Sequence, residues 1–277
     1  MNLDEFQALL FNLRQNDNEI RQQATAIYNK FMLENPSGLI IMHIQNITTS
    51  NSEPLITMSI ILLKVLFKFN DGNLLNFVNE EVLSLIDTTF PTLFENTQFT
   101  PYIFSQLADT ISYIAKVLIP RQYLLTFVPH LFQIIQSGPQ LLWIPSMNCI
   151  TQCNNYIPLV NNSIISFEAV FALLTATLQS DNFEIISAAL RMLYSFYLNN
   201  ESCSQLSGFA SSLTQLYPQI PEPNQNSTFS DLYLFCTQSS NFFASVLTDF
   251  IASLLSIKGG PQVQMIIVDI FVCLAKN

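Results

Sequence analysis

Glycine is scarce in this chain: six residues in 277. That excludes the glycine-rich loops that cradle phosphates, and it disfavours a β fold built on tight turns. Charge is scarce too, at 11% of residues against a usual level near 25%. Basic charge is the scarcer sign, with 10 Lys and Arg against 20 Asp and Glu. A net charge of −10 argues against binding nucleic acid by phosphate neutralisation. Two histidines, His43 and His130, and no HExxH, GxSxG, Walker-type or GxGxxG pattern leave no frame for catalysis, so no catalytic residue, metal site or cofactor is expected.

Other shortages bound the environment. The five cysteines, Cys149, Cys153, Cys203, Cys236 and Cys273, are odd in number and irregular in spacing. They read as buried free thiols rather than a disulfide framework or a zinc site. Residues 1–15 lack the long apolar block of a secretory signal, so the sequon Asn46-Ile47-Thr48 reads as chance. The apolar runs, such as "LITMSIILLKVLFKF" and "VQMIIVDIFVCLA", fall short of the roughly 20 residues that span a bilayer, and each holds a charge. No membrane insertion is expected.

What the sequence has is apolar residues, 49% of the total, arranged with helical spacing. In "NDNEIRQQATAIYNKF", residues 16–31, apolar positions recur at Ile20, Ala24, Ile27, Tyr28 and Phe31. Asn16 with Glu19 forms a candidate capping box. Pro36, Pro54, Pro101 and Pro139 sit where first helical turns accept a residue without an N–H, and Pro91 falls inside a helix it should kink or split. The helices pair off, with first members starting near 3, 37, 74, 122, 163, 203 and 241. The period is about 40 residues, the length of a two-helix HEAT-type repeat. "DNFEIISAALRMLYSF", residues 181–196, matches the first quoted helix about four repeats on, pairing Ile20 with Ile185, Ala24 with Ala189 and Phe31 with Phe196. The predicted fold is all-α: one α-solenoid over 1–277 of about seven helix pairs, each burying an apolar stripe that a single pair cannot cover. A closed helical bundle is the alternative. Residues 217–229, "YPQIPEPNQNSTF", read as a long Pro/Asn-rich loop.

Charge placement gives the remaining signal. Residues 71–115 hold six acids, Asp71, Glu80, Glu81, Asp87, Glu95 and Asp109, and no Lys or Arg. Glu80, Ser84 and Asp87 share a helix face that fits either a basic partner or solvent.

The stretch "FQALLFNLRQNDNEIRQQATAIYNKF" resembles the amino terminus of the importin-β (karyopherin-β) nuclear transport receptors, in particular the importin-five-like branch. Leu9, Leu10, Asn12 and Leu13 match its "LLxNL" ending, and Asp17, Asn18, Arg21, Ala24 and Tyr28 its "DNxxRxxAxxxY" helix. "GLIIMHIQNI" and "ILLKVLFK", with Lys64 at a basic position, resemble the next repeat. The resemblance implies a right-handed α-solenoid shuttling between cytoplasm and nucleus, with protein cargo, the GTPase Ran and Phe-Gly nucleoporins as partners. It places Ran contact on second helices of the first four pairs, with Arg21, Lys64, Lys68 and Asp109 as candidates. A HEAT scaffold for another assembly is the alternative. The last helix, 261–276, carries too much apolar surface for a capping repeat, which predicts self-association through it.

Overall fold

The computed structural model describes residues 1–276; the side chains of residues 70–72, 202, 240 and 276 lie outside the description, and with them Asp71 of the acidic run and Lys276 of the last helix. The described residues form helices and no strand. Fourteen α-helices follow in pairs: α1 (Leu3–Leu13) with α2 (Asn18–Glu34), α3 (Pro36–Thr49) with α4 (Glu53–Lys68), α5 (Glu80–Phe94) with α6 (Pro101–Leu118), α7 (Phe127–Ser137) with α8 (Trp143–Tyr156), α9 (Phe167–Leu178) with α10 (Phe183–Asn199), α11 (Ala210–Leu216) with α12 (Glu222–Gln238), and α13 (Leu247–Leu255) with α14 (Pro261–Lys276). Seven pairs at this spacing are HEAT-type two-helix repeats. Contacts within the chain cluster into two compact units, Met1–Tyr156 and Ile157–Asn277.

Local chemistry sets the helix ends. Asn2 caps α1 in a reciprocal box: its Oδ1 accepts from the Glu5 N–H at 2.9 Å, and Glu5 Oε2 accepts from the Asn2 N–H at 2.9 Å. Asp17, not Asn16, caps α2, accepting from the Glu19 and Ile20 N–H groups. A carboxylate satisfies two orphan donors there and also opposes the helix dipole. Pro36, Pro54 and Pro101 occupy first turns. Pro139 instead precedes a short 3-10 turn, Gln140–Leu142. Pro91 lies inside α5 without splitting it. The segment 217–229 is not a long loop: a 3-10 turn at Tyr217–Gln219 leads to α12 from Glu222. Pro221 and Pro223 fall where a helix begins and tolerates them, so composition misleads there. The expected helix start near 74 is a 3-10 segment, Phe69–Phe77, before α5.

In the first unit α1, α3, α5 and α7 pack successively in one layer, while α4, α6 and α8 pack successively in the other. In the second unit α10, α12 and α14 form the second-helix layer and α11 packs on α13. The repeat is visible in the polar links between neighbouring repeats, which recur near one repeat length. Gln7 Nε2 donates to Asn46 Oδ1 across 39 residues, the Asn79 N–H to Ser37 Oγ across 42, Ser112 to Gln152 across 40, and Ser187 meets Thr228 across 41. Arg191 donates to Asp231 at 3.4 Å across 40 residues; burial raises the Asp231 carboxyl and the guanidinium opposes that rise.

Asn46 is the densest of these links. It is fully buried, and its Nδ2 donates to the Leu55 carbonyl at 3.0 Å and to Ser59 Oγ at 2.9 Å while Oδ1 accepts from Gln7. A side chain so engaged joins α1, α3 and α4. The core of the second unit is aromatic: Tyr194 stacks on Phe235 at 4.3 Å, Phe243 on Phe250 at 3.8 Å, and the Tyr194 and Tyr217 hydroxyls meet at 2.8 Å. Ala24 and Ala189 are buried. Ile185 is buried and its sequence counterpart Ile20 is exposed, because α2 packs on α1 and α3 with no further described repeat against its other side.

Candidate functional site

The two histidines have different surroundings. His43 is fully buried between Phe6 and Tyr28, whose hydroxyl lies 2.8 Å from Nε2. Burial lowers its pKa to about 3 and raises that of Tyr28, so both are neutral. His130 Nε2 faces Glu95 Oε1 at 3.0 Å beside a cleft of about 330 Å3 bounded by Ile134, Pro139 and Leu142. The Glu95 carboxylate that His130 faces lies 35 residues earlier, at the end of α5. Among the described residues no group of His, Cys, Asp and Glu is arranged to hold a metal ion, and no helix is long and apolar enough to cross a membrane. The five thiols are free, four of them buried. Burial pushes Cys203 up to about 11 and Cys236 up to about 12.

The features suited to a partner lie on α4, α6 and α8. Residues at i, i+3, i+4 and i+7 share a helix face, which aligns Met58, Ile61, Lys64, Val65 and Lys68 along α4 and Tyr102, Asp109, Tyr113 and Lys116 along α6. The two helices are in register: Lys64 is ion-paired with Asp109, and the Lys68 ammonium lies 5.0 Å from the centre of the Tyr113 ring. Both pairs are offset by 45 residues, as 109 − 64 and 113 − 68 show. Lys116 approaches the same ring at 5.8 Å and the Tyr156 ring of α8 at 5.3 Å, while the two rings meet edge to face at 6.2 Å. Each cation–π contact at such a partly exposed site contributes on the order of 0.5–1 kcal/mol. At the other end of the stripe a cleft of about 390 Å3 is bounded by Arg14, Glu53, Met58, Ile61 and Tyr102.

The six candidate residues therefore separate. Lys64, Lys68 and Asp109 converge on the α4–α6 face. Arg21 is exposed on α2 and donates to Asn18 of its own first turn. Glu80 and Asp87 lie on α5, which packs on α3 and α7 in the first-helix layer, so they share no surface with the lysines. Glu80 is exposed, Asp87 is half-buried, and Asp87 Oδ1 is enclosed without a hydrogen bond. Tyr113, Lys116 and Tyr156 escaped sequence reading, because their convergence needs the register between α6 and α8, which no local pattern carries.

No protein-family model matches the sequence, and no curated protein does. Solved structures match the whole fold. A karyopherin, Kap121p, bound to the SUMO protease Ulp1p superposes with a TM-score of 0.79 at 14% identity over 99% of this chain and 27% of its own length. Kap121p bound to RanGTP gives a TM-score of 0.74 at 14% identity, over 99% of this chain and 26% of its own. The Kap95:Nup1 complex gives 0.76 at 18% identity, over 100% and 34%. The fold is thus an all-α solenoid of the karyopherin type, and the chain spans about a quarter to a third of the length of these structures.

Proposed function

We propose that this chain works as part of an importin-β-like transport receptor, carrying protein cargo through the nuclear pore and shuttling between cytoplasm and nucleus. The observation that carries the reading is the karyopherin fold over essentially the whole chain, at a TM-score of 0.79 with Kap121p. It is supported by an importin-β-like opening sequence that folds, as the resemblance implies, into a capped first pair with Tyr28 and Ala24 buried. Ran in its GTP form, protein cargo and Phe-Gly nucleoporins are the proposed partners, consistent with karyopherin neighbours bound to RanGTP, Pho4p and Nup53p. The Ran contact we infer lies on second helices, at Lys64, Lys68 and Asp109 of the α4–α6 face and at Arg21 on α2. Binding, rather than catalysis, is the activity.

Self-association through α14 is a further element of the proposal. Val263, Ile267 and Ile270 face inward, but Met265, Val268 and Val272 are 68%, 57% and 46% exposed, so half of an apolar helix lacks cover among the described residues. A HEAT scaffold for a different assembly would show the same repeats without nucleotide-dependent Ran binding. Pull-down with Ran loaded with GTP or GDP separates the two readings: retention of the GTP form supports transport, and indifference to the nucleotide supports the scaffold.

A further inference from the structure

Only 10 Lys and Arg occur in the whole chain, yet Lys64, Lys68 and Lys116 gather on one face of α4 and α6. Lys64 is neutralised by Asp109. Lys68 and Lys116 have no carboxylate within ion-pair distance among the described residues; their ammonium groups rest on the faces of Tyr113 and Tyr156. A cation near the carboxyl end of a helix is ordinary, since the dipole favours it. The dipole does not require two cations from different helices to converge on one ring. That arrangement leaves two positive charges, partly shielded from water by aromatic faces, pointing outward from an acidic protein.

The second observation is the cleft at the opposite end of the same stripe. Arg14 and Glu53, of opposite charge, line it beside apolar side chains, with Ile61 40% and Tyr102 55% exposed. Seven residues of α4 separate Ile61 from Lys68, about 10 Å at 1.5 Å per residue; Lys116 is fourteen residues from Tyr102, but its ammonium lies by the Tyr113 ring, eleven residues and about 16 Å along α6 from Tyr102. An extended chain covers that span in about four residues.

We propose that this face is a docking site for an acidic segment of a partner protein: one large apolar side chain seats in the Ile61–Tyr102 cleft, and carboxylates about four residues away pair with Lys68 and Lys116. The site selects against basic segments by charge; it shares Lys68 with the proposed Ran face, but Lys116 and the Ile61–Tyr102 cleft are its own.

The test measures fluorescence anisotropy of a labelled peptide with one Leu, a spacer of about four Ser and Gly residues, and a run of Glu. Controls carry Gln or Lys in place of every Glu. The Glu peptide is expected to bind, with affinity falling as salt rises, and the controls to bind at least tenfold more weakly. Lys68→Glu with Lys116→Glu should weaken the Glu peptide by tenfold or more and strengthen the Lys peptide. Tyr102→Ala should weaken the Glu peptide several-fold without changing its charge selectivity. Both lysines project from exposed helix surface, and an unchanged circular dichroism melt confirms folding. Equal binding of Glu, Gln and Lys peptides, no saturable binding of the Glu peptide, or full binding by the double reversal would each overturn the proposal.

Discussion

Replacing Asn46 by Ala tests how neighbouring repeats are held together. The side chain makes three hydrogen bonds, of 2.9, 3.0 and 2.9 Å, to Gln7, the Leu55 carbonyl and Ser59, from a fully buried position. Each bond contributes roughly 1 kcal/mol net, and removing one partner leaves the others unsatisfied at somewhat greater cost. The expected loss is therefore about 3 kcal/mol, a large part of a stability of order 5–15 kcal/mol. Gln7→Ala removes one bond from a half-buried partner and should cost only about 1 kcal/mol. Two compact units need not unfold together, so a single global midpoint would blur the effect. Hydrogen exchange resolved by helix is the suitable assay. Protection should fall in α1, α3 and α4 and stay constant in α12 and α14. A loss below about 1 kcal/mol, or one spread evenly over the chain, would refute the claim that Asn46 ties the first two repeats.

His43 should make the first unit acid-sensitive. It is held neutral with a pKa near 3, while the unfolded chain protonates it near 6.5, so the unfolded state binds more protons below that pH. Stability contributed by the neutral form is intact above about pH 6.5 and falls by up to roughly 1.4 kcal/mol per pH unit towards pH 3; His43→Gln should flatten denaturation midpoints measured from pH 7 to 5, and an unchanged slope would count against it. Thiol titration should find at most Cys273 reactive in the folded protein and all five thiols after denaturation; rapid labelling of Cys236 in the native state would contradict its burial. Sedimentation at rising concentration should show association that Val268→Glu abolishes, whereas a monomer at high micromolar concentration would remove the α14 interface.

The second-helix layer was legible because apolar periodicity survives without charge: pairs of helices at a 40-residue spacing announced themselves. Their caps were read to within one residue, since Asn16 and Asp17 are both good N-caps and only backbone geometry selects Asp17. The stretch 217–229 failed because Pro and Asn favour turns on average, yet Pro221 and Pro223 sit where a helix accepts them. The 3-10 segments at Glu201–Phe209 and Ser240–Val246 were read as helix, which their apolar content allowed. The candidate surface was half legible. Lys64, Lys68 and Asp109 carried rare charges and drew notice; Tyr113, Lys116 and Tyr156 join them only through register between repeats, and nothing local in the sequence encodes it. Glu80 and Asp87 share a helix face as read, but on α5, away from the α4–α6 lysines.

The central claim is that a karyopherin fold here carries a karyopherin's activity, and its most direct test is equilibrium binding to Ran. The account predicts that the chain binds Ran·GTP in preference to Ran·GDP. It also predicts that combined alanine substitution of Arg21, Lys64, Lys68 and Asp109 weakens that binding more than any single change, each exposed contact being worth on the order of 1 kcal/mol or less. Equal affinity for the two nucleotide states, or a quadruple variant that binds Ran·GTP as tightly as the parent, would contradict it.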